Sequence, residues 1–281
     1  MERHFEGSTA RPKATTNSGS RNLCKKTRFS ENSGTGFGRV RLMLGLWRNL
    51  GHMKSLNNSQ IRGKLVMDIS RRLPPQFVSF EGIDGCGKST LLDELASWLK
   101  EKSIPFIKTR EPGGTRLGEK IREILLDPSF ETMNERAEVM LYSASRAQLV
   151  HEVIRPALEH GIWVLADRYI DATLAYQGFG RGLELDALRQ IQDWTTGGLW
   201  PDLTILLDCD IDIASGRMKA RKETGDRIEQ EGRLFHQKVK DGYLHLARSM
   251  PKRFVVLDAN RVLQEVMASF RAAFLGAMTR S

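Results

Sequence analysis

Phe77-Val78-Ser79-Phe80-Glu81-Gly82-Ile83-Asp84-Gly85-Cys86-Gly87-Lys88-Ser89-Thr90 is the stretch that decides the fold. Its first five residues read as a short buried strand. Gly82 to Ser89 fit the pattern G-x-x-x-x-G-K-[ST] at every fixed position, and Thr90 to Leu99 have the apolar spacing of a helix. A strand, a glycine-rich turn and a helix in that order make a phosphate-binding loop. The competing reading, a glycine turn before an ordinary helix, is disfavoured by the intact context. Glycines let successive backbone N–H groups point inward, and the helix N-terminus adds partial positive charge. Lys88 is then expected to reach the β- and γ-phosphates of a nucleoside triphosphate, and Ser89 to place a hydroxyl on Mg²⁺. Gly82, Ile83, Asp84, Gly85, Cys86, Gly87, Lys88, Ser89 and Thr90 form the expected cradle.

Downstream, short apolar runs recur at Pro105–Thr109, Ile162–Ala166, Leu203–Leu207 and Phe254–Leu257. Each fits a strand of a parallel sheet covered on both faces. Helical patterns separate them, including a long one from about Glu135 to His160. Alternation of this kind predicts a doubly wound α/β domain of the P-loop NTPase type, with five parallel strands and helices on both faces. Ligands are expected at the carboxyl ends of the strands.

The bulk numbers narrow the function. The chain has 281 residues and a net charge of +9, but residues 1–66 hold 13 Lys/Arg against 3 Asp/Glu, and the remainder is near neutral. A nucleic-acid-binding reading of the folded part thereby loses its support. Residues 1–66 read as a disordered basic extension, rich in Ser, Thr, Asn and Gly. Three explanations compete for it: a transit peptide, a basic arm for anionic partners, or upstream residues ahead of a start at Met67, which is favoured. The compact domain is expected over residues 76–281. No stretch has the apolar length of a membrane helix, which predicts a soluble protein with no membrane partner. Cys24, Cys86 and Cys209 form no C-x-x-C pair, which fits a reducing compartment, the cytoplasm.

Chemistry gathers at the strand ends. The second strand runs into Thr109-Arg110-Glu111-Pro112-Gly113-Gly114-Thr115, a tight turn beside a guanidinium suited to phosphate. Arg122 follows in the next helix. The third ends in Asp167-Arg168-Tyr169, where a carboxylate is placed to organise Mg²⁺; its competing reading is a helix N-cap. Ala175 to Gly182 is a glycine-rich run containing Tyr176 and Gln177. Tyr142 and Arg146 stand four apart and share a helix face, an aromatic ring and a guanidinium able to stack on a base and bond its edge. Gly216 to Arg227 is dense in charge; the default reading is a solvated helix end, and the competing one, beside a P-loop, is a mobile lid that closes over the triphosphate and supplies an arginine. Cys86, near Lys88 and a helix N-terminus, is a candidate for a lowered thiol pKa, against the simpler expectation of an inert small residue.

Together these motifs resemble thymidylate kinase of the bacterial type. The resemblance spans Gln76 to about Leu246 and rests on Phe80 to Thr90, Thr109 to Thr115, Ser145-Arg146-Ala147-Gln148, Asp167-Arg168-Tyr169, Ala175-Tyr176-Gln177-Gly178 and Asp226-Arg227-Ile228-Glu229. It implies transfer of the ATP γ-phosphoryl group to dTMP, with Mg²⁺, and a homodimer. It also implies site roles. Asp84 would contact the sugar 3′-hydroxyl, and Arg110, Arg122 and Arg168 would hold the acceptor phosphate. Tyr142 would stack on thymine and Arg146 would bond its O4 edge. Thr173 and Gln177 would complete base recognition, and Tyr176 would crowd the 2′ position. Lys88, Asp167 and Arg168 are the expected catalytic groups, with Ser89 and Asp167 at the metal. Gly85 stands where one branch of the family carries an arginine, so the catalytic arginine is expected from the lid, as Arg217 or Arg221. Ala172, where many relatives have serine, predicts slightly altered sugar or base affinity. Other nucleoside monophosphate kinases would lack the Arg-Glu-Pro-Gly-Gly-Thr turn paired with Tyr142 and Arg146. A GTP-dependent switch would show N-K-x-D, and no Asn here precedes Lys.

Overall fold

The computed structural model describes residues 76–220 and 225–280. Expectations for residues 1–66 and for Arg221 lie outside these. Five strands, β1 (Phe77–Glu81), β2 (Phe106–Arg110), β3 (Trp163–Asp167), β4 (Leu203–Asp208) and β5 (Phe254–Asp258), make one parallel sheet in the order β2-β3-β1-β4-β5. The five expected strands are all present, shifted or extended by one residue at most. The shift at β2 has a local cause. Pro105 has no N–H to give the ladder, so it stays outside the strand while its carbonyl accepts from Trp163 N at 2.9 Å.

The helices are α1 (Lys88–Glu101), α2 (Arg116–Leu126), α3 (Glu135–Leu149), α4 (Arg155–Glu159), α5 (Ile170–Thr173), α6 (Leu185–Thr196), α7 (Ile211–Ala220), α8 (Arg233–Ser249) and α9 (Leu263–Arg280). A π-helical stretch, Val150–Ile154, joins α3 to α4, so the long helix expected from Glu135 is continuous to Glu159. Pro156 accounts for the widening. Its ring would crowd the carbonyl four residues earlier in a regular helix. A second π-helical stretch, Leu174–Gly180, holds the residues that the sequence shows only as a glycine-rich run. Asn134 caps α3, its side chain accepting from Arg136 N at 3.0 Å.

β1 is buried along its whole length, as the central strand of a two-sided sheet must be. Phe77, Val78 and Phe80 pack with Leu91, Leu95 and Leu99 of α1 in the core. Each such side chain contributes about 1.5–3 kcal/mol by leaving water. At the β2 edge, Lys108 faces outward and pairs with Asp93 of α1 at 2.8 Å. A charged residue there discourages further strand addition. Because β1 sits between β3 and β4, the chain leaves it in opposite directions, and the crevice over its carboxyl end is where a ligand fits. Glu81, Arg110, Asp167 and Asp208 close their strands on this side.

Candidate active site

The loop after β1 wraps around its own lysine. Lys88 Nζ donates to the carbonyls of Gly82 at 3.2 Å and Ile83 at 3.1 Å, and Asp84 Oδ1 lies 3.6 Å away. Gly87 precedes α1 with a φ of 106°, a left-handed turn that favours glycine and lets the helix N-terminus face the loop. Ser89 Oγ lies 3.5 Å from Asp167 Oδ2. A hydroxyl from the first turn of α1 and a carboxylate oxygen from the end of β3 form a hard oxygen pair that fits Mg²⁺, which takes few protein ligands and keeps waters and phosphate oxygens for the rest. Cys86 differs from one expectation: the thiol is buried, and burial pushes its pKa up despite Lys88 nearby.

Next to the loop is a cavity of about 120 Å³ whose lining includes Asp84, Arg122, Tyr142, Arg146, Arg168, Ala172, Thr173, Tyr176 and Gln177. These come from the P-loop, α2, α3, the β3 end, α5 and the second π-helical stretch. Arg168 spans the boundary between loop and cavity. Its Nη1 donates to Gly82 O at 2.9 Å, and its Nη2 to Asp84 Oδ1 at 2.6 Å and to the Tyr176 hydroxyl at 3.0 Å. Burial would raise the Asp84 pKa, but the Arg168 guanidinium and Lys88 ammonium hold it well below the usual carboxylate range. Asp84 is therefore an anion at neutral pH, available as an acceptor. Tyr142 is the reverse case, a phenol that burial keeps neutral.

Arg146 is only 1% exposed, and all three of its nitrogens face protein acceptors. Nε donates to Glu111 Oε2 at 2.7 Å, Nη1 to Thr173 Oγ1 at 2.9 Å and to Gln192 Oε1, and Nη2 to Tyr169 O at 3.1 Å. It lines the cavity as a fixed donor plane. Arg122 is aimed by a bond from Nη1 to Pro112 O at 3.0 Å. Arg110 is placed differently from the expected set. It is exposed, pairs with Glu119 at 2.8 Å and is not part of the cavity lining.

A sequence model of the family described as Thymidylate kinase matches residues 80–270. The chain is 49% identical over 191 residues to the thymidylate kinase of Carboxydothermus hydrogenoformans, covering 68% of this chain and 92% of that one. It is 51% identical to the thymidylate kinase of Deinococcus radiodurans over 197 residues, 70% of this chain and 95% of the relative. The Exiguobacterium sp. thymidylate kinase is 50% identical over 188 residues, 67% and 88% of the two chains. The chain belongs to the thymidylate kinase family. It is a nucleoside monophosphate kinase built on a P-loop α/β sheet.

Membership of the thymidylate kinase family gives the departure at Gly85 a structural cause. Gly85 has a φ of 79°, and a Cβ there would lie 2.3 Å from the Ala214 carbonyl oxygen of α7. With α7 packed this close, the loop has no room for an arginine at this position. Arg217, one of the two lid candidates, lies on α7 with its fork turned to Cys86 O at 3.4 Å, Cys209 Sγ at 3.6 Å and Ala259 O at 3.1 Å. It braces the loop against the ends of β4 and β5 and is not part of the cavity lining.

Several residues of the site were not singled out by sequence. Glu138 is buried beneath the cavity and accepts from Gln177 Nε2 at 2.8 Å, Arg181 Nη2 at 3.2 Å and Arg227 Nη2 at 2.6 Å. Its signal was present: Glu138, Tyr142 and Arg146 recur every four residues on one helix face. Glu111, Gln192 and Tyr243 carried no such signal, because their partners are 35 to 162 residues away in sequence.

Proposed function

We propose that this chain transfers the γ-phosphoryl group of ATP to the 5′-phosphate of dTMP, the phosphorylation that gives the thymidylate kinase family its name. The observation that carries the reading is Arg168, whose guanidinium touches the P-loop carbonyl of Gly82 and Asp84 while lining the adjoining cavity. One cation thus serves both phosphates. An oxygen of the dTMP phosphate attacks the γ-phosphorus, the bond to the ADP oxygen breaks, and dTDP and ADP result. The acceptor is already an anion, so no general base is required. The difficulty is mutual repulsion of the two phosphates, which positioning and charge neutralisation overcome.

Lys88 is held at the loop for the β- and γ-oxygens, and Arg168 and Arg122 take the acceptor phosphate. Tyr142 stacks on the base, while Arg146, Thr173 and Gln177 face its polar edge. Tyr176 beside Asp84, with its hydroxyl 3.2 Å from Oδ2, lies against the sugar and disfavours a 2′-hydroxyl. Ser89 and Asp167 would hold Mg²⁺, which when bound supplies positive charge to the bridging phosphate oxygens. Arg110 acts from the rim of the site, if it releases Glu119.

The near-neutral charge of residues 67–281 supports small-molecule rather than nucleic-acid partners. Among the described residues no helix is long and apolar enough to cross a membrane. A cytoplasmic setting suits the free thiols of Cys86 and Cys209. A homodimer is supported by Leu117 and Ile124 on α2, Met140 on α3 and Trp194 on α6, apolar side chains left exposed on helices that flank one another. The test of function is ADP formation from ATP with each nucleoside monophosphate in turn. dTMP is expected to give the highest kcat/KM, and a preference for any other acceptor overturns the assignment.

A further inference from the structure

Arg168 has a φ of 71°, in the left-handed region. For a residue with a Cβ this conformation is unfavourable, so its surroundings must hold it. Arg168 N donates to Phe80 O at 3.0 Å, and one side chain grips the residue from both ends. Tyr169 N, the amide immediately after Arg168, donates to Glu81 Oε1 at 2.7 Å. The other oxygen, Oε2, accepts from the Tyr243 hydroxyl at 2.8 Å. That same phenol oxygen accepts from Arg168 Nη1 at 3.2 Å. Glu81 therefore holds Arg168 twice, through the main chain on one side and through the guanidinium on the other. It has no exposed surface and is not part of the cavity lining.

A buried carboxyl group is costly to keep unless it is well bonded. A leucine would fill the space but leave the Tyr169 amide and the Tyr243 hydroxyl proton without an acceptor. We propose that Glu81 is a positioning residue, which through Tyr243 and the Tyr169 amide fixes the left-handed backbone of Arg168 and aims its guanidinium between the P-loop and the acceptor cavity. The proposal rests on the reading of Arg168 as the acceptor-phosphate arginine. Because Glu81 is also the last residue of the strand that feeds the P-loop, it ties the donor and acceptor halves of the site to one another.

The test uses the full chain and steady-state kinetics with each substrate varied. Tyr243→Phe is expected to lower kcat/KM for dTMP about 10-fold and Glu81→Ala by about 30-fold or more, the scale of a small misplacement of a reacting group. The KM for ATP should stay within two-fold, which a general loss of structure would not spare. Glu81→Gln, which keeps the shape and an acceptor for the Tyr169 amide, should recover to within five-fold of the parent. In an Arg168→Lys background, Tyr243→Phe should add less than two-fold. Parent-like kcat/KM for dTMP in folded Tyr243→Phe and Glu81→Ala overturns the proposal. Full additivity with Arg168→Lys overturns the positioning role alone. An unchanged kcat/KM in Arg168→Lys by itself sinks the reading of Arg168, and the proposal with it.

Discussion

Glu111 and Arg146 form an ion pair with almost no solvent contact, Arg146 Nη2 lying 2.5 Å from Glu111 Oε2, with side chains 1% and 3% exposed. Such a pair is a weak source of net stability, because both ions have left water, but it is expensive to break. Burial raises the Glu111 pKa, while Arg146 and its hydrogen bond pull it back down. Removing the carboxylate would strand the guanidinium among Thr173, Gln192 and the Tyr169 carbonyl. Glu111→Ala is therefore predicted to lower unfolding free energy by about 3–5 kcal/mol, read from the urea midpoint at unchanged m-value. A shift under about 1 kcal/mol would mean that Arg146 is held by its neutral partners alone. The arginine was legible in the sequence as the helical neighbour of Tyr142. The carboxylate that orients it was visible only as part of a turn motif, since nothing in local spacing announces a bond across 35 residues.

The long helix from Glu135 to Glu159 shows what an element adds to its residues. Spacing of four puts Glu138, Tyr142 and Arg146 on one face; Tyr142 and Arg146 line the cavity, and Glu138 accepts from Gln177 of the Leu174–Gly180 stretch at 2.8 Å. Glu138 is the hinge of this face. It collects Gln177, Arg181 and Arg227, and Arg227 also donates from Nε to Leu125 O at 2.9 Å, so α2, α3 and the segment at 225–231 are fastened together. Glu138→Gln should weaken this junction without emptying it. A five- to tenfold rise in KM for dTMP is expected, with the KM for ATP nearly unchanged. Equal effects on both substrates would assign Glu138 to the core instead. Strands and helices were largely readable because their signals, apolar runs and caps, are local. Both π-helical stretches were not, since widening of a helix answers to tertiary contacts. The second of them brings Tyr176 and Gln177 to the cavity.

For the whole molecule, the acceptor side of the sheet carries α2, α3 and α6 as neighbours, and each keeps an apolar side chain in water. Met140 is 53% exposed near the middle of α3. If this layer is the dimer face, Met140→Asp places a charge where a copy of the same charge would oppose it across a two-fold axis. The variant is expected to sediment at half the parent's mass, with the thermal midpoint of the isolated chain lowered. A parent and variant of equal mass would place the interface elsewhere. The same layer has an optical consequence. Of the chain's five tryptophans, Trp194 is 86% exposed and Trp163 1% exposed, with Trp98 and Trp200 partly buried. Covering α6 would shift the Trp194 part of the emission to shorter wavelength and shield it from acrylamide, and a Trp194→Phe variant supplies the background of the other four. If copies join through this layer, the chain's own fluorescence reports it, with no label attached.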